Sequence, residues 1–185
     1  MSPTDLLIPT YRNMLRTLLG LLATVDRQMP DRAESLLAAR LSPDMYPLAA
    51  QLRFAAYQAQ EATLRMRGID IPDTLAAVAA EGRDAGDNPG TIAAVRGRIE
   101  DALAALDALD GDALDAAATD PITLVLPNDL IFDMTTDDFA RDWALPQFYF
   151  HVVTAYAILR HHGVTIGKAD YVPHMFAYLR SEPTA

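Results

Sequence analysis

The chain has no cysteine among its 185 residues. That excludes disulfides, thiolate-held zinc and a cysteine nucleophile. Lysine is nearly missing: Lys168 is the only one among 15 basic residues. A basic surplus is missing too. The formal charge of −10 argues against nucleic acid and anionic membranes as main partners. Long apolar runs are absent. The uncharged stretch Ala144–Leu159 holds Gln147 and His151 and falls short of the ~20 residues that span a bilayer. The N-terminus has no basic leader, and Arg12 and Arg16 interrupt the apolar residues after it, so a cytoplasmic protein is expected. No GxSxG, HExxH or GxGxxG is found. Gly163–Lys168 has the look of a phosphate loop, but its glycine spacing is one residue short, Ala169 replaces the magnesium-binding hydroxyl, and it follows a helix instead of a strand.

What remains is a folding composition. Hydrophobic residues make up 51% and charged residues 22%, and the length suits one domain over 1–185. Residues 70–142 carry 17 acids against 4 arginines, whereas the rest of the chain nets +3. Solvated helix faces and loops account for that asymmetry; an acidic face attracting cations is the functional alternative.

Helical periodicity dominates. Leu7, Tyr11, Met14, Leu18, Leu22 and Val25 make one stripe over 5–28, with Pro9 expected near the first turn. A short helical connector is expected at 32–40. Met45, Leu48, Leu52, Ala55, Ala59, Ala62 and Met66 alternate spacings of 3 and 4 over 45–67, a bundle seam with Asp44 as its expected N-cap and Gly68 as its stop. A short helix is expected at 73–81, then a loop through Gly82, Gly86, Pro89 and Gly90. Thr91 heads a third long helix over 92–110. Pro121–Leu126 and Leu130–Phe132 flank Pro127-Asn128-Asp129 as a small hairpin. Thr135-Thr136-Asp137-Asp138 opens a fourth helix that reaches His162, with a kink or restart at Pro146. A helical turn or two is expected at 173–179. The predicted fold is all-α: an up-down four-helix bundle with a β-hairpin before its last long helix.

Four histidines are the obvious chemical candidates. His161 and His162 lie ten and eleven residues beyond His151, roughly 15 Å along a helix, so they cannot share a metal with it. They sit at a helix end, where histidines complement the dipole. His151 lies mid-helix in an apolar run, with Gln147 one turn before it and Thr154 one turn after. It is either a hydrogen-bonded core histidine or a ligand or acid–base group. Gln51 lies on the edge of the second helix's seam. Tyr149, Tyr156 and Arg160 share another face, either an anion-binding edge or a tyrosine surface closed by an arginine stem.

The segment Leu41-Ser-Pro-Asp-Met-Tyr-Pro-Leu48 with Gln51, then Leu145-Pro-Gln-Phe-Tyr-Phe-His151 with Thr154-Ala-Tyr156 and Arg160, then Gly163–Lys168 with Asp170-Tyr171, resembles an uncharacterised bacterial family of unknown function grouped with the DinB/YfiT-like helical bundles. The resemblance implies a four-helix core and a homodimer. In many members of that wider group it also implies a divalent-metal site of three histidines, one from the second helix and an i, i+4 pair from the fourth, used in some by thiol-dependent transferases or isomerases. Here the second helix has no histidine, and Ala155 stands four residues after His151. No metal and no cofactor are therefore expected. The leading expectation is a small-molecule ligand in the bundle cleft, met by Asp44, Gln51, Gln147, Thr154, Tyr156 and Arg160, with His151 as the proton donor or acceptor. The alternative is a metal-assisted transferase or hydrolase in which His151 joins carboxylates such as Asp44 or Asp133.

Overall fold

A computed structural model describes residues 2–115, 120–126 and 129–180. They are mostly helical, with one two-stranded antiparallel sheet.

Helix α1 (Pro3–Gln28) starts two residues earlier than its apolar stripe, because Ser2 and Asp5 form a reciprocal capping box. Pro9 thus lies within the helix and beyond its first turn. Its missing N–H costs the Asp5 carbonyl a donor, on a face that is exposed to solvent. A 3₁₀ turn at Pro30–Arg32 and the short α2 (Ala33–Leu36) form the connector.

Helix α3 (Leu48–Met66) begins three residues later than its periodicity indicates. Asp44 is not its cap. Pro47 holds that position, and the first free N–H groups reach back to the connector: Leu48 donates to the Ala39 carbonyl at 2.9 Å and Ala49 to Leu37 at 3.0 Å. Gly68, with φ of 65°, turns the chain out of the helix as expected. Helix α4 (Asp73–Asp84) extends past the anticipated end and contains Gly82, which is a packing glycine instead of a loop residue. A Cβ there would lie 2.7 Å from the Phe54 ring. Helix α5 (Ile92–Asp107) is capped by Thr91, whose hydroxyl accepts from Ala94 N–H, and ends three residues before the expected boundary.

Strands β1 (Pro121–Val125) and β2 (Ile131–Thr135) pair in the register Thr123↔Asp133, with Ile122 and Leu124 turned inward. Pro127 and Asn128 of the anticipated turn lie outside the described residues; Asp129 has φ of 63°. Thr135 caps α6 (Thr136–Asp138), which passes through a π-helical stretch, Phe139–Ala144, into α7 (Leu145–His161). Pro146 cannot donate to the turn before it, and the chain adjusts by one residue, Leu145 N–H reaching Ala140 instead of Arg141. Gly163, with φ of 92°, ends the helical run. The tail contains α8 (Lys168–Tyr171), which was not anticipated, and a 3₁₀ stretch at Pro173–Tyr178.

Helix α3 is central. It packs against α7, α4 and α5, while α1 packs against α5, α7, α8 and α3. The alanines at 49, 50, 55, 56, 59 and 62 are all fully buried and let these neighbours approach closely. No helix among the described residues is long and apolar enough to cross a membrane.

Candidate functional site

The α3–α7 seam brings two polar side chains together across 100 residues of sequence. His151 Nδ1 lies 2.8 Å from Gln51 Oε1. The Gln51 amide nitrogen donates to the Tyr46 carbonyl at 3.2 Å, in the turn before α3. That contact orients the amide: its NH₂ is spent on Tyr46, so its oxygen faces the imidazole. His151 must then carry its proton on Nδ1, which leaves Nε2 as a lone-pair acceptor. Among the described residues Nε2 has no hydrogen-bond partner, yet it is not sealed from solvent. Gln51 itself is 1% exposed.

Aromatic rings frame this pair. Phe54, one turn after Gln51, lies 5.1 Å from the imidazole; Tyr46 meets Phe54 edge-on at 5.2 Å; Phe150 stands edge-on to His151 at 5.4 Å. Burial among them disfavours the imidazolium, and the His151 pKa falls to about 4. The ring is neutral at pH 7. It is a poor general base there, because effective bases titrate near the working pH, but a good hydrogen-bond acceptor.

The other candidates separate. Gln147 is half-buried one turn before His151 and bonds to no described group. Thr154 is buried, but its hydroxyl donates to the Phe150 carbonyl at 2.6 Å and so serves its own helix. Asp44 is exposed on the 41–47 turn, its carboxylate taking the Ser42 hydroxyl and held below the usual carboxylate range by that bond and by its own backbone N–H. Tyr156 lies about 140° around α7 from His151, as five residues of an α-helix require. It packs on Tyr171 at 5.5 Å, and Arg160 is exposed beyond it. His162 contacts the Arg40 carbonyl at 3.3 Å, a helix-end role, and His161 is exposed.

The three-histidine metal site does not fit these residues. Gln51, on α3, meets His151 as a hydrogen-bond acceptor, and Ala155 has no donor atom. Asp133 pairs with the Thr123 hydroxyl on the hairpin at 2.7 Å, and among the described residues no three His, Asp or Glu side chains converge.

Sequence reasoning missed the walls of the site and two buried charges. Phe54 and Tyr46 were legible only as apolar neighbours of Gln51. Arg53 and Glu61 stand on an otherwise alanine-rich helix, a signal that marks buried charge. Arg53 Nη1 donates to the Pro89 carbonyl at 3.0 Å, and Glu61 pairs with Arg65.

Comparison with known proteins defines the class first. A crystal structure of a DinB family member protein from Shewanella denitrificans matches with a TM-score of 0.73 and 28% identity over 91% of this chain and 90% of that one. The chain is thus DinB-like. More narrowly, it belongs to the family described as Domain of unknown function (DUF1993), whose model matches residues 4–172. No curated protein matches it.

Proposed function

We propose that this DinB-like protein binds a small molecule at the α3–α7 seam, recognising a hydroxyl or N–H donor through His151 Nε2. One observation carries the reading: Gln51 holds the imidazole in the tautomer that offers a lone pair, at the edge of an aromatic frame open to solvent. A ligand with a polar donor and an apolar body suits that combination. His151 acts as acceptor, and Gln147 is the nearest further polar group on the same face. Thr154 spends its hydroxyl on the Phe150 carbonyl, Asp44 takes the Ser42 hydroxyl, and Tyr156 packs on Tyr171, so the ligand's polar contact is assigned to His151 instead.

The scaffold of the reading is a single cytoplasmic bacterial domain with α1, α3, α5 and α7 as its up-down core, working without a resident metal. It is a homodimer joined through α7. Tyr149, Phe150 and Val153 expose an apolar outer face on that helix, and an exposed apolar face of this kind expects cover.

The test is a fragment screen read by the His151 ring resonances. Binders are expected to shift His151 Hε1 and to be lost in His151→Ala. Stoichiometric zinc, nickel or iron in purified protein, lost in the same variant, would contradict the reading and favour the metal-assisted transferase or hydrolase.

A further inference from the structure

A hollow lies on the side of α3 opposite Gln51. Residues nine apart on a helix face opposite ways, so Gln60 points away from Gln51. Helices α4 and α5 each pack on α3 with little contact between them. The groove they leave encloses a cavity of about 340 Å³, the size of small-molecule sites. Its walls include Leu64, Leu75, Val78 and Leu109, and two arginines border it, Arg67 and Arg98. The one carboxylate beside them in that lining is Asp101, 3.9 Å from Arg98.

The Arg98 fork is held by Glu81, through Nε at 3.1 Å and through Nη2. Both partners are more than one-third exposed, and pairs of that kind add little to stability. Glu81 also faces a second arginine. Arg53 has a side chain only 5% exposed, and its buried Nε lies 3.4 Å from Glu81 Oε2 without a hydrogen bond. The two arginines share one carboxylate: the exposed Arg98 holds Glu81 in hydrogen bonds, while the buried Arg53 keeps it at the longer 3.4 Å and is otherwise bonded to the Ala49 and Pro89 carbonyls. An incoming anion that takes Arg98 lets Glu81 close fully on Arg53, so no charge is left unpaired.

We propose that the α3–α4–α5 groove binds a small organic anion with an apolar body, an aromatic or branched carboxylate or sulfonate, with Arg98 and Arg67 as its clamp and Arg53 as the acceptor of displaced Glu81. The site is independent of His151.

The probe is 8-anilinonaphthalene-1-sulfonate, compared with N-phenyl-1-naphthylamine, which has the same rings without the sulfonate. Fluorescence titration is expected to show one saturable site for the sulfonate and binding about tenfold weaker for the neutral amine, the loss expected for a charge-assisted hydrogen bond. Arg67 and Ala105 are exposed, so Arg67→Gln and Ala105→Phe leave folding intact. The first is expected to weaken the sulfonate severalfold and the second, by filling the groove, to abolish its binding; Val153→Asp on α7 is expected to change nothing. Equal affinity for both probes, full binding by Ala105→Phe, loss of binding in Val153→Asp, or no saturable site would each overturn the proposal.

Discussion

Tyr11 and His151 show how differently two buried polar groups are treated. The Tyr11 hydroxyl is fully buried with no hydrogen-bond partner among the described residues, and burial, with the Glu61 carboxylate nearby, pushes its pKa far up. An unpaired buried hydroxyl costs about 1–3 kcal/mol, so Tyr11→Phe is expected to leave the urea midpoint unchanged or raise it. A loss above about 1 kcal/mol would contradict the absence of a partner. His151 is satisfied at Nδ1 only. Its folded pKa of about 4 lies below the ordinary histidine value, so the unfolded chain takes up the proton first as pH falls. Its contribution to stability is complete above about pH 6.5 and is lost down to about pH 4, amounting to about 3 kcal/mol at most. Urea unfolding across that range is expected to show a larger loss in the wild type than in His151→Gln, the difference being the histidine's share. Gln51→Leu removes the acceptor and is expected to cost about 1–3 kcal/mol.

At the scale of elements, Gly82 couples helix packing to the site. Phe54 fills the space a Cβ would need and packs on both Tyr46 and His151, so a ring displaced by a Cβ moves against them. Gly82→Ala is expected to destabilise by about 1 kcal/mol despite alanine's better helix propensity, and to shift the His151 ring resonances. An unshifted spectrum would contradict this coupling. Elements with local signals were legible in the sequence: the Thr91 cap, the β-prone hairpin, the adjustment at Pro146 and the stop at Gly163. Those set by distant contacts were not. The start of α3 is satisfied by the Ala39 and Leu37 carbonyls, not by Asp44, and the glycine inside α4 is accounted for by the distant Phe54 ring, which fills the space of a Cβ at 82. The polar stripe on α7 was readable as Gln147, His151 and Thr154, but the Gln51 partner depends on α3 meeting α7, and Thr154 spends its hydroxyl on its own backbone.

For the whole molecule, the resemblance read from the Phe148–His151 block and the glycine–lysine tail agrees with the family match over residues 4–172. The three-histidine donor set of the wider group is not found in these helices: α3 has no histidine, and alanine stands at 155, one turn after His151. The outer face of α7 bears on assembly. Val153 is 48% exposed among Tyr149 and Phe150, and an aspartate there is expected to convert a dimer to a monomer in sedimentation without lowering the melting midpoint. A wild type that sediments as a monomer at high micromolar concentration would contradict the proposed dimer.

Long-range ¹H–¹⁵N correlation of the histidine rings, followed from pH 8 to pH 3.5, reads the state of His151 most directly. The structure predicts a proton on Nδ1, a bare Nε2 and titration near pH 4. A proton on Nε2 would mean that Gln51 does not hold the ring and that no poised lone pair exists for a ligand; titration near 6.5 would mean that burial does not keep the ring neutral.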